Sequence, residues 1–317
     1  MTDTEPYVRD DVRALLDLLG SLQRPELDEV PIEQVRQSMS AMQTMVERPA
    51  RDLPVIRDLS CPGPAGDIPL RLYDAQAERR EAGPLLLFLH GGGFVAGDLE
   101  SHHALCTELA AELDLPLLAV DYRLAPEHPF PAAPEDAEAA ARWAAKSPHE
   151  LSLKVSGLIP IGDSAGGNLA IVTTQALVRD PAMAPVVLQV PIYPLTDDIT
   201  RHPSYRDFAE GFLLSSRAMA FFTASYAPVP QDPRNHPILA RHEGTPPTVV
   251  ATASLDPLRD SGRAYAARLV EAGVDVIYLE MRGSIHGFAN LRKAIPSAQK
   301  DLHAIISATK LLLERHL

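Results

Sequence analysis

The chain has 317 residues, 46% hydrophobic and 22% charged, which supplies enough apolar material for a sizeable core and excludes a disordered chain. Its 29 Lys and Arg against 42 Asp and Glu leave a net charge of −13, which argues against a general electrostatic attraction to nucleic acid or to anionic lipid. Two cysteines, Cys61 and Cys106, are too few for a disulfide scaffold and lack the paired spacing of a structural zinc site.

The opening Met1, Thr2, Asp3, Thr4, Glu5 is acidic where a secretory signal is basic and then apolar. The longest uncharged stretch, 181–196, carries four prolines and cannot form a spanning helix. A soluble, cytoplasmic protein is therefore expected. Residues 7–22 place Val8, Val12, Leu15, Leu16, Leu19 and Leu22 at helical spacing, and 30–46 repeat the pattern with Ile32, Val35, Met39, Met42 and Met45. Two amphipathic helices follow from this.

Beyond the break at Pro49 to Pro54, short apolar runs alternate with turns and helical stretches, the rhythm of a largely parallel α/β sheet. Strands are predicted at 85–89, 117–120, 158–161, 186–190, 248–253 and 274–279, each a compact run suited to burial on both faces. Helices are predicted at 104–113, 133–145, 167–179, 260–272 and 297–316. Residues 196–236 interrupt the rhythm with Tyr205, Phe208, Phe212, Leu213, Leu214, Phe221, Phe222 and Tyr226. An insertion of this size usually forms a lid or binding loop, with dimer contact and plain packing as the alternatives. The domain division is 1–48 as N-terminal cap helices, 49–195 as the first part of the core, 196–236 as a cap insertion and 237–317 as the rest of the core.

The strongest chemical signal is Gly162-Asp163-Ser164-Ala165-Gly166, directly after one apolar run and directly before a helical one. A sharp strand-to-helix turn exposes its middle residue in a strained conformation, and the flanking glycines remove side chains that would clash. Ser164 is thereby presented as a nucleophile. A serine hydroxyl needs a base at neutral pH, and His286 follows the last predicted strand, so it reaches the same sheet edge as Ser164. The base in turn needs a carboxylate to fix its tautomer. Asp256 follows the strand at 248–253 and is preferred to Asp260, which reads as a first-turn residue of the next helix.

The order Ser164, Asp256, His286 is that of α/β-hydrolases; chymotrypsin-type proteases place histidine and aspartate before the serine on an all-β scaffold. Three consecutive glycines in His90-Gly91-Gly92-Gly93-Phe94 suit a main chain that must approach an oxyanion closely. Amides of Gly91, Gly92 and Ala165 are the expected donors. A phosphate loop is disfavoured, since no Walker lysine and no Gly-x-Gly-x-x-Gly spacing occurs. His102 and His103 are adjacent and cannot share a helical face, so no metal and no cofactor is expected. His90 is read as ordering the glycine loop by hydrogen bonding.

These motifs together resemble the hormone-sensitive-lipase-like carboxylesterases, the bacterial family IV esterases. The resemblance covers about residues 54–317 and rests on HGGGF at 90–94, DYRLAPEHPFPAA at 121–133, GDSAGGNLA at 162–170, DPLRD at 256–260 and HGF at 286–288. It implies an α/β-hydrolase core under a helical cap, with Ser164, Asp256 and His286 as triad and Gly91, Gly92 and Ala165 as oxyanion hole. It also implies short-chain carboxylic esters as small-molecule substrates. The 122–133 motif reads as structural, with Arg123 or Glu127 in ion pairs. Phe94, Tyr193, Phe212 and Leu213 flank the catalytic loops or lie in the cap and are expected to line the acyl or alcohol pocket. An amidase or lactonase on the same triad, or a non-catalytic receptor of this fold, are the rival functions; retention of His286 speaks against the receptor. The strand at 274–279 would serve as the seam of a homodimer, and a monomer fits the sequence equally well.

Overall fold

The computed structural model describes residues 5–22, 25–230 and 232–317, so Met1 to Thr4 of the acidic opening lie outside the described residues. Eight strands form one sheet in the order β1-β2-β4-β3-β5-β6-β7-β8. They are β1 (Val55–Gly63), β2 (Gly66–Asp74), β3 (Gly83–Leu89), β4 (Leu117–Val120), β5 (Val155–Asp163), β6 (Val190–Ile192), β7 (Thr248–Leu255) and β8 (Val276–Ile285). From β4 across to β8 every pairing is parallel, whereas β1 and β2 form an antiparallel hairpin and β2 meets β4 antiparallel.

Five longer helices cross over the sheet or close it: α3 (His103–Leu113), α4 (Ala132–Ala144), α5 (Ala165–Arg179), α8 (Arg259–Glu271) and α9 (Ala298–His316). Strand β3 shows why its sequence is an unbroken apolar run. Leu86 and Phe88 pack with α3 and α9, while Leu85, Leu87 and Leu89 pack with α4 and α5 on the other face. The DYRLAPEHPFPAA loop is tied to α4 by Arg123, whose guanidinium lies 2.7 Å from the buried Asp136 carboxylate.

Two expectations are corrected here. The hairpin β1/β2 escaped the sequence reading because its outer strand carries Arg57 and Asp58 and is mostly exposed, so neither buried-strand pattern applies. The segment expected as a strand at 186–190 contributes only single bridges at Val186 and Gln189, and regular pairing begins at Val190. The apolar run marks burial, and 185–189 already bond to both neighbouring strands, but the Leu158–Val186 and Ile161–Val190 pairs differ in register by one residue, so a regular ladder begins only at Val190.

The N-terminal helices α1 (Asp10–Ser21) and α2 (Ile32–Val46) lie over the sheet edge where the parallel strands end. The Arg9 amide donates to Gly283 O, and the end of α2 is anchored by a buried ion pair between Glu47 and Arg292 at 2.8 Å. Arg36 of α2 donates to the carbonyls of Val95 and Ala125 and pairs with Glu127 at 2.6 Å. The insertion holds α6 (Pro203–Asp207) and α7 (Ser216–Tyr226), and Arg217 of α7 reaches Asp28 and Glu29 beside α2, 2.9 Å from each. No helix among the described residues is long and apolar enough to cross a membrane.

Candidate active site

Because β3, β5, β7 and β8 are parallel, the residues after their carboxyl ends share one edge: His90, Ser164, Asp256 and His286. Ser164 adopts φ 56° and ψ −116°, a conformation that costs about 1–3 kcal/mol and persists only where its surroundings impose it. They do so here: the Ser164 amide donates to Ile192 O, and a side chain at Gly166 would collide with the carbonyl of Leu89.

His286 Nε2 lies 2.9 Å from Ser164 Oγ, and His286 Nδ1 lies 2.8 Å from Asp256 Oδ2. Asp256 is fully buried, and its second oxygen accepts the Leu258 amide at 2.8 Å. The Asp256 carboxylate thus orients the proton on Nδ1 and leaves Nε2 free to take one from the serine. Asp260 points away: it accepts the Ser204 amide at 2.9 Å and pairs with Arg259 and Arg263, in the first turn of α8. The choice between the two aspartates read from the sequence matches this placement.

The glycine loop differs from expectation at one residue. The Gly91 amide is already committed, donating to Asp163 Oδ1 at 2.8 Å, so it is not available to an oxyanion. The carbonyl and amide of a trans peptide point in opposite directions. Gly91 O is held by His90 Nδ1 at 2.8 Å, and Gly92 O by the amides of Val95 and Ala96 at 3.1 and 2.9 Å, which turns the Gly92 and Gly93 amides the other way. Among the described residues neither of those amides has an acceptor. Ala165 opens α5, where the helix leaves its amide unpaired. The hydrogen bond from His90 is the one anticipated for it, and burial pushes its imidazole down to about 4, keeping the ring neutral.

Ser164, His286, Gly92, Gly93 and Ala165 face one cavity of about 1530 Å³. Its far walls come from Leu15, Leu19, Met39 and Met42 of the N-terminal helices and from Met219 and Phe222 of α7. Of the four expected pocket residues, Phe94 and Leu213 line this cavity. Tyr193 does not: it is buried beneath the site, with its ring centroid 4.8 Å from that of His286. Phe212 instead packs edge-on against Phe208. The sequence reading missed Gly93, Phe222 and Asp163. The third glycine and the aspartate stood in the motifs themselves, but nothing local tells which amide is free.

The histidines weighed for a metal have other partners. His102 Nε2 lies 3.2 Å from Asp163 Oδ1, and His103 Nδ1 lies 3.0 Å from the Tyr73 hydroxyl. Among the described residues, Glu108, Glu112 and His303 do cluster, but Arg51 lies 2.6 Å from both glutamates and already supplies the positive charge.

Residues 86–290 match a protein family described by the alpha/beta hydrolase fold. The chain is 44% identical over 273 residues to carboxylic ester hydrolase LipN of Mycobacterium tuberculosis (82% of this chain, 71% of the relative). It is 36% identical over 291 residues to ethyl acetate hydrolase of Pseudomonas putida (90% of each). Among solved structures, an ester hydrolase from the metagenome of Lake Arreo superposes with a TM-score of 0.88 at 36% identity, covering 96% of this chain and 98% of that one. A thermostable esterase from Pseudomonas putida superposes with a TM-score of 0.90 at 28% identity, covering 99% of each. Fold and site together define an α/β-hydrolase. Within that class the chain belongs to the hormone-sensitive-lipase-like family, and it is a carboxylic ester hydrolase.

Proposed function

We propose that the protein hydrolyses short-chain carboxylic esters through an acyl-enzyme on Ser164. The observation that carries this reading is the unbroken relay from Ser164 Oγ to His286 Nε2 and from His286 Nδ1 to Asp256, each step within 2.9 Å. His286 takes the serine proton as Oγ attacks the ester carbonyl, and the amides of Gly92, Gly93 and Ala165 hold the oxyanion. Protonated His286 then gives its proton to the departing alcohol. Water, deprotonated by the same ring, attacks the acyl-enzyme and releases the acid. The similarity to an ethyl acetate hydrolase supports small acyl groups.

Residues 1–48 and 196–236 act in this proposal as a cap over the cavity. A cytoplasmic location is in keeping with two buried, unpaired cysteines. The outer edge of β8 is the proposed homodimer seam, which sedimentation velocity tests directly. For the chemistry, Ser164→Ala is expected to abolish hydrolysis of p-nitrophenyl butyrate while leaving the circular dichroism spectrum unchanged. Substantial turnover by a folded Ser164→Ala protein rejects the mechanism.

A further inference from the structure

Building on the triad and oxyanion reading above, we infer that Asp163 is a positioning residue: its buried carboxylate draws the Gly91 amide inward and so aims the Gly92 and Gly93 amides at the carbonyl that Ser164 attacks. Asp163 ends β5, where every residue from Leu158 to Gly162 is apolar and buried, and it is itself only 4% exposed. A carboxylate there is costly unless it is closely partnered. Its partners belong to the catalytic loops. Oδ1 accepts the Gly91 amide at 2.8 Å and faces His102 Nε2 at 3.2 Å, while Oδ2 faces the Tyr193 hydroxyl and Asn290 Nδ2, each at 3.5 Å. Burial alone would raise the carboxyl, but the His102 ring and the Gly91 amide outweigh it and hold the group below the usual carboxylate range.

The first glycine of the triplet fits this role. A Cβ at Gly91 would come within 2.5 Å of Asp163 Oδ2 and 2.9 Å of Asp163 O, so only glycine lets the loop approach the carboxylate. The peptide joining His90 to Gly91 is then pinned at both ends, its amide by Asp163 and its carbonyl by the Tyr122 hydroxyl at 2.7 Å. With that plane fixed, the next two peptides start from a defined direction. The Tyr193 ring that packs against His286 carries its hydroxyl toward the same carboxylate, so one anion braces both the loop and the floor under the base.

The test compares Asp163→Asn, which keeps the size and removes the charge, with the parent protein. Displacing oxyanion donors without deleting them should lower kcat by about 10- to 100-fold, below the roughly 10²- to 10³-fold cost of losing a donor outright. KM for p-nitrophenyl butyrate should stay within about twofold. Affinity for a trifluoromethyl ketone, whose hemiketal oxygen mimics the oxyanion, should fall by the same factor as kcat, a coupling that general loosening of the fold would not produce. A folded Asp163→Asn protein with kcat within about threefold of the parent overturns the inference, as does a loss confined to KM. Should that variant not fold, His102→Gln retains a donor facing Oδ1 but removes the imidazole that braces the carboxylate; a drop in kcat and ketone affinity at constant KM is expected, and parental values for both overturn the inference. An inactive Ser164→Ala protein beside a fully active Asp163→Asn protein would remove this inference alone, whereas turnover by Ser164→Ala removes the reading beneath it.

Discussion

At the carboxyl edge of the sheet each side chain of the proposed triad follows the end of a strand in the core, and its backbone sits among buried neighbours. The Ser164 amide is held by Ile192 O, Gly162 and Gly166 on either side lie against the Leu89 carbonyl, and Asp256 is fully enclosed. The opposite wall of the same cavity, formed by α1, α2 and α7, is held differently. Its helix ends are fixed to the core, α1 through Arg9 against the buried Asp301 at 2.6 Å and α2 through the Glu47–Arg292 pair, but Arg36 meets Glu127 where both are part-exposed, Arg217 pairs only within the wall, and Leu18, Leu22 and Met45 remain exposed. The contrast teaches a division of labour. In the proposed mechanism the geometry of the chemical step sits on buried strand ends, and the proposed substrate-facing surface sits on helices with more exposed contacts.

The sharpest way to break this comparison is to exchange the two aspartates of the DPLRD motif. Asp256→Asn should lower kcat by about 10³- to 10⁴-fold, because the amide NH2 can face Nδ1 and hold the wrong His286 tautomer, while Asp260→Asn should change it less than about fivefold on the transition-state scale. Similar losses in steady-state assays of both would dissolve the distinction. Next in size, Glu47→Ala leaves Arg292 buried with only distant acidic company, Glu108 at 3.8 Å, and should destabilise the fold by about 3 kcal/mol in urea unfolding. An unchanged midpoint would mean that α2 is not anchored there.

A pH experiment probes the edge itself. Asp121, which borders the cavity just after β4, is pushed from 3.8 to about 6, first by burial and then by Asp98. Between these values the folded protein holds a proton that the unfolded chain releases, so stability falls as pH rises from about 4 to 6 and stays lower above. Asp121→Asn should therefore raise stability by about 2–3 kcal/mol at pH 8, with the gain gone by about pH 4. A gain independent of pH in thermal unfolding would assign it to packing instead. The smallest effect belongs to the far wall. Phe222 lies against Gly93, where a Cβ would strike its ring, so Phe222→Ala should raise KM for p-nitrophenyl butyrate about tenfold while kcat changes less than threefold. A large fall in kcat at constant KM would move Phe222 to the catalytic side of the comparison.

Much of this was legible because the signals are local. Ser164 announces itself by the glycines around it and by the apolar run before it, and the chain order of serine, aspartate and histidine separates this fold from other serine hydrolases. Asp256 could be told from Asp260 because one falls at a strand end and the other inside the first turn of a helix. The β1/β2 hairpin was not read from the sequence: β1 is an exposed, charged edge strand with neither a continuous apolar run nor clean alternation, while the alternation of Ile68, Leu70 and Leu72 in β2 was a signal the reading passed over. Tyr193 and Phe212 looked like pocket residues from their neighbours in sequence, but a side chain's direction depends on the local backbone, and Tyr193 at φ 35° turns under the site.

The sequence by itself determined the fold class, the candidates proposed as nucleophile, base and acid, and the edge at which they meet, because strand and helix periodicity and residue order are properties of adjacent positions. Which glycine amides are free was decided only in three dimensions. That outcome depends on the orientation of two or three peptide planes, and those planes are set by Asp163, Tyr122 and the Val95 and Ala96 amides, groups brought to the loop by other strands or by its own return.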